Sequence, residues 1–173
     1  LYQYMEKHPE FEFLGTHPMD FAAKNSDGTC SVSDVCSFNL KDFINNNKTK
    51  IGLVLNLDKS HQSGSHWVCM FIDINLNKIY YWDSYGMEPE REVYNFSNKI
   101  KKQGQKIGKQ FKFLINTYRH QYENSECGVY CLWFIIKLLE SKNSFTEYNR
   151  IILKKVKDKI MEKNRNVLFY KIS

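Results

Sequence analysis

Proline is scarce in this sequence, three residues in 173. No repeat and no linker interrupts the chain, so it reads as one domain over residues 1–173. No apolar run reaches the roughly 20 residues that a membrane-spanning helix needs, so no membrane partner is expected. The opening LYQYMEKHPEF lacks the pattern of a signal peptide. It begins with Leu rather than Met, as expected of a fragment or a processed product. Cysteines are few and irregularly spaced: Cys30, Cys36, Cys69, Cys127 and Cys131. An odd count without regular pairs argues against a disulfide scaffold and points to a reducing compartment. A metal site is equally poorly supported. Cys127 and Cys131 are four residues apart, but no second ligand cluster accompanies them.

What is present is the composition of a packed domain. Hydrophobic residues make up 42%, which excludes a disordered tail, and there are 11 Tyr and 12 Phe. The net charge of +6 and pI near 9.0 favour acidic partners without specifying nucleic acid. Residues 1–37, with two His-Pro pairs and a Ser-Asp-Gly turn signal, read as irregular. NLKDFINN reads as a short helix with Asn39 as its cap. Strands are predicted at 51–57, 66–74, 78–84 and 110–118, with DKSHQSGS as a polar loop and INLNK as a turn. Helices are predicted at 88–103, 126–139 and 145–162, and VLFYKI reads as a strand-like tail. The fold class is α+β, with a central, mainly antiparallel sheet flanked by helices.

Four residues in this frame carry chemistry. A hairpin turning at Ile74 and Asn75 sets His66 opposite Asp83, within a residue or two of register. Asp83 then accepts from one imidazole nitrogen and fixes the tautomer of the other. Taken alone, His66 is more often a structural residue and Asp83 a turn cap. In QYENSECGVYCLWFIIKLL a polar stretch gives way to an apolar helix at Cys127. A thiolate there is stabilised by the unpaired amides and positive end of the helix, and further by a nearby imidazolium. Gly128 keeps that first turn open for a substrate backbone. Cys131, one turn deeper, reads as core. Gln121 is six residues before Cys127, so a curled loop would aim its amide and the Cys127 N–H at one developing oxyanion. Alone it is a surface glutamine.

Together these motifs resemble the cysteine proteases typified by adenovirus endopeptidase and the Ulp1-like SUMO proteases. GSHWVCMFIDI matches the family's histidine motif, YYWDS its acid motif, and QYENSECGVYC its Gln-loop-Cys motif. Carried over residue by residue, the resemblance implies His66 as base, Asp83 as orienter, Gln121 as oxyanion donor and Cys127 as nucleophile. It covers about residues 50–140 and implies the Ulp1/adenovirus-protease-like fold. Papain-like enzymes place Cys before His, opposite to the order here. Two features depart from the cellular members. Glu126 stands where they usually have Asp before Cys-Gly, and no Trp lies upstream of His66. LGTHPMDFA is similar to segments in proteases of large DNA viruses and their virophages.

The resemblance implies a cysteine endopeptidase that cuts after small residues at Gly-rich sites. Its substrate would be a viral capsid or core precursor, and it would act in the virion, host cytoplasm or viral factory. Other readings are a deSUMOylase or deubiquitinase-like isopeptidase, an acetyltransferase effector, and a non-catalytic binding module. No metal or organic cofactor is required. The run Lys99, Lys101, Lys102, Lys106, Lys109 and Lys112 contains no acidic residue between its ends. It is either a solvated face or a track for non-specific DNA acting as activator.

Overall fold

The computed structural model describes residues 1–23, 28, 33–58 and 66–168. In chain order the elements are α1 (Tyr2–Lys7), β1 (Phe11–Pro18), α2 (Ser33–Cys36), α3 (Leu40–Asn45), β2 (Lys50–Asn56) and β3 (Trp67–Asp73). They continue with β4 (Lys78–Trp82), α4 (Arg91–Gln105), β5 (Lys112–Ile115), α5 (Cys127–Glu140), α6 (Ser144–Leu153) and α7 (Asp158–Leu168). The strands lie in sequence order in one mixed sheet. β2–β3 and β3–β4 are antiparallel, and the edge pairs β1–β2 and β4–β5 are parallel. The antiparallel character read from the sequence therefore belongs to the sheet centre.

Period-two alternation divides the sheet's side chains between two cores. Ile51, Leu53, Leu55, Val68, Met70 and Ile72 face a core shared with Val93, Phe96 and Ile100 of α4. Val54, Cys69, Phe71, Tyr80 and Trp82 face the other, which α5, α6 and α7 cover. Both faces are buried, which is why β2 and β3 read as nearly continuous apolar runs. α5 is the central helix of the second layer, and Phe134 stacks on Trp82 with ring centroids 4.5 Å apart. Gly52 permits its close approach. A Cβ there would stand 3.1 Å from the Phe11 ring and 3.3 Å from Ile135.

The structure revises several expectations. Residues 1–37 contain α1, β1 and α2 rather than only irregular chain. β1 carries no clean strand pattern because its pairing register shifts between Phe13 and Thr16, around Gly15 with φ +94°. Its terminal Pro18 is tolerable because β1 is an edge strand. The helix expected at 145–162 is two helices, α6 and α7. The intervening chain extends, burying Val156, whose N–H donates to His120 Nδ1 at 3.2 Å. Asn39 caps α3 as expected, accepting from the Lys41 N–H at 3.2 Å. Cys36 is disulfide-bonded, so one bridge exists where the cysteine count argued against a scaffold. Most of the Ser-Asp-Gly turn and of the DKSHQSGS loop lies outside the described residues, as does the VLFYKI tail beyond Leu168.

Candidate active site

His66 immediately precedes β3 and Asp83 immediately follows β4. Because the two strands are antiparallel, both residues lie at the same end of the sheet. The hairpin closes on the pair Asp73–Lys78, so its register runs two residues off the sequence expectation. The side chains bridge that offset: His66 Nε2 and Asp83 Oδ1 are 2.7 Å apart. Asp83 is fully buried, and the same Oδ1 accepts from the Tyr85 N–H at 2.7 Å. A carboxylate bound by Nε2 leaves Nδ1 as the imidazole nitrogen available to another partner.

Cys127, the first residue of α5, lies near enough to His66 that each shifts the other's pKa. The thiol belongs to a residue only 9% exposed, less accessible than a helix-boundary position suggested. Burial alone would pull the His66 pKa down. Hydrogen bonds to Asp83 and Cys127 outweigh it and raise the pKa to about 9. Burial likewise pushes the Cys127 thiol up. The His66 hydrogen bond and backbone bonds from Trp67 and Gly128 reverse that and leave it below the ordinary thiol value. The two shifts together favour a thiolate–imidazolium pair. Cys131, one turn on, shows the contrast: burial first, then its hydrogen bond with Cys69, raise it well above the ordinary value. It is a core residue, as the sequence indicated.

Gln121 is fully buried rather than on the surface. The Ser84 hydroxyl donates to its Oε1 at 2.6 Å, and its Nε2 donates to the Glu123 carbonyl. A carbonyl only accepts, so these partners fix which way the amide faces. The second N–H of the amide remains for a further acceptor. Beside Cys127 opens a cavity of about 350 Å³, lined by Trp67, Asn124, Ser125, Gly128, Val129 and Arg165. A Cβ on Gly128 would lie 3.8 Å from the Trp67 indole, an ordinary van der Waals contact, so the indole stands over the first turn of α5 at this cavity. Among the described residues no His/Cys/Asp/Glu cluster could hold a metal ion.

Residues 39–172 match the Ulp1 protease family, C-terminal catalytic domain. The chain belongs to this family. Over 170 residues it is 32% identical to an Acanthamoeba polyphaga mimivirus protein named as a thiol protease, covering 96% of this chain and 52% of the relative. Over 121 residues it is 35% identical to a SUMO-1 cysteine protease of African swine fever virus, covering 68% of this chain and 43% of that one. The chain thus spans about half or less of the length of these curated relatives. The crystal structure of the African swine fever virus protease superposes with a TM-score of 0.78 at 25% identity, covering 97% of this chain and 63% of that one. The yeast Ulp1 protease domain, solved with the yeast ortholog of SUMO, shares the fold at a TM-score of 0.50 and 18% identity, covering 79% of this chain and 61% of that one.

In this Ulp1-family chain several contacts were invisible to sequence reasoning. Tyr85 stacks on the His66 ring, centroids 4.5 Å apart and planes 22° from parallel. Its hydroxyl reaches the Glu123 carbonyl and Asn124, both at 3.4 Å, so it joins the histidine to the Gln121–Glu126 loop. Ser84 orients Gln121. The only sequence signal for either was adjacency to Asp83 in YYWDSY.

Proposed function

We propose that this Ulp1-family chain is a cysteine endopeptidase that cuts after small residues, glycine above all, in a protein substrate. The observation that carries the reading is His66 bonded to Asp83 and beside a Cys127 thiol whose pKa it lowers, at the edge of an open cavity. In this reading the Cys127 thiolate attacks the scissile carbonyl carbon. The carbonyl oxygen takes up the negative charge and is held by the Cys127 N–H and the second Gln121 amide N–H. The intermediate collapses, the C–N bond breaks, and His66 Nδ1 gives its proton to the departing amine. Neutral His66 then takes a proton from water. The hydroxide so formed attacks the thioester, and the acid product leaves with regeneration of the ion pair. Asp83 holds the ring and favours its charged form. The Trp67 indole and Gly128, which wall the same cavity beside Cys127, support a preference for a small substrate residue before the cut.

The viral relatives support a viral precursor protein as substrate, in the virion or the infected cell. An isopeptidase acting on SUMO is the second reading, favoured by the name of the African swine fever virus relative. Purified chain and its Cys127→Ala variant would be incubated with quenched Gly-Gly-X peptides, with SUMO conjugates and with acetyl-coenzyme A. Peptide cleavage lost in the variant supports the endopeptidase. Turnover confined to SUMO conjugates favours the second reading, and acetyl transfer alone contradicts both.

A further inference from the structure

The loop from Gln121 to Glu126 joins the oxyanion side chain to the nucleophile, yet its own residues make few of the bonds that hold it. Ser84 and Tyr85 hold its first half, and helix α7 adds anchors from over thirty residues away. Asp158, the first residue of α7, is buried, and its Oδ2 accepts from the Tyr122 N–H at 2.9 Å. Its Oδ1 lies 3.1 Å from the Tyr130 hydroxyl of α5. Two turns later Arg165 donates through Nε to both oxygens of Glu126 at 3.1 Å, and through Nη2 to the Ser125 carbonyl at 2.7 Å. Glu126 is buried and is the N-cap residue of α5, but its side chain caps nothing. Its carboxylate is committed to Arg165 instead.

We infer that α7 sets the geometry of this loop, with Asp158 and Arg165 as positioning residues for the Gln121 amide and the Cys127 N–H. The loop is gripped at Tyr122, one residue after Gln121, and at Ser125 and Glu126, the two residues before Cys127. Fixing both ends leaves the oxyanion donors little freedom relative to each other. A displacement of about 1 Å in such a constellation costs up to roughly a hundredfold in rate. Arg165 also lines the cavity beside Cys127, so the clasp forms part of the wall next to the nucleophile. The fork geometry of a guanidinium spans one carboxylate and one carbonyl together, which a lysine ammonium does not reproduce.

This inference rests on the protease reading, and two measurements separate them. Hydrogen exchange followed by mass spectrometry reads the loop without any substrate. Steady-state kinetics on a Gly-Gly-X peptide reads the chemistry. In Arg165→Ala the amides of 122–127 are expected to exchange at least about tenfold faster, with β3 and β4 unaffected. The kcat is expected to fall by about 10- to 100-fold with KM within about twofold. Arg165→Lys should fall between the native chain and Arg165→Ala. If Arg165→Ala does not fold, Glu126→Gln and Asp158→Asn carry the same comparison. Unchanged loop exchange would overturn the inference, and so would faster exchange with an unchanged kcat, which would make α7 a brace without effect on the chemistry. A native chain that turns over no peptide would count against the protease reading, while the exchange result would still decide whether α7 holds the loop.

Discussion

Cys127 and Cys131 differ by one helical turn and by the sign of their pKa shift. The first is lowered by His66 and backbone bonds, and the second is raised by burial beside Cys69. With His66 raised to about 9 and the Cys127 thiol lowered, the ion pair is expected to persist up to about pH 9. Alkylation by iodoacetamide needs only the thiolate. It should therefore proceed below the usual thiol range and stay high above pH 9. Peptide turnover also needs the imidazolium proton, so it should decline as pH rises through about 9. In His66→Ala the alkylation profile should move up to the ordinary thiol range. An unmoved profile would show that His66 does not set the thiol's charge. Gln121 makes a separate test. Gln121→Ala should lower kcat by about a hundredfold or more, corresponding to about 3 kcal/mol for one oxyanion donor. Asp83→Asn should cost less than His66→Ala, since the ring keeps a partner of the same shape. The His66–Asp83 contact was legible in the sequence because an antiparallel hairpin sets the two positions nearly level. Tyr85 and Ser84 were not, because stacking and amide orientation impose no residue pattern.

Elements put these residues at one end of the sheet. The β3–β4 hairpin brings His66 to Asp83, and a tight turn after Asp83 places Tyr85 over the ring. Gly86 closes that turn, donating its N–H to the Asp83 carbonyl at 3.0 Å, with φ +73°. A Cβ at Gly86 would stand 2.7 Å from the Tyr118 backbone carbon, which cannot yield as a side chain would. Gly86→Ala is thus expected to destabilise the fold by about 2 kcal/mol or more, from left-handed strain plus the clash. It should also lower kcat by displacing Asp83 and Tyr85. Thermal unfolding and steady-state kinetics on the one variant read both effects, and a native melting temperature would contradict this role for the glycine. The hairpin strands were readable because both their faces are buried. β1 was not, since its parallel pairing is to a strand more than thirty residues away and its register shifts midway. The break between α6 and α7 was hidden for a related reason. It is set by His120 and Tyr130 receiving Val156 and Asp158 across the layer, not by a local helix stop.

At the scale of the whole molecule, the positive charge is spent unevenly. Of the six lysines between Lys99 and Lys112, Lys99 donates to the Cys36 carbonyl and Lys109 to the Ile74 carbonyl, while Lys101 lies over the Phe113 ring. Lys102, Lys106 and Lys112 remain exposed. If this face binds DNA through those three, the slope of log affinity against log salt should be no steeper than about −3. Fluorescence anisotropy at several salt concentrations measures it, and a steeper slope would mean a footprint beyond this segment. Cys127 is the proposed nucleophile. A Gly-Gly peptide ending in a thiol-reactive electrophile, followed by mass spectrometric mapping, tests it most directly. Modification is expected at Cys127, abolished in Cys127→Ala and strongly slowed in His66→Ala, with Cys69 and Cys131 untouched. Modification at a different cysteine, or at Cys127 with a rate indifferent to His66, would contradict it.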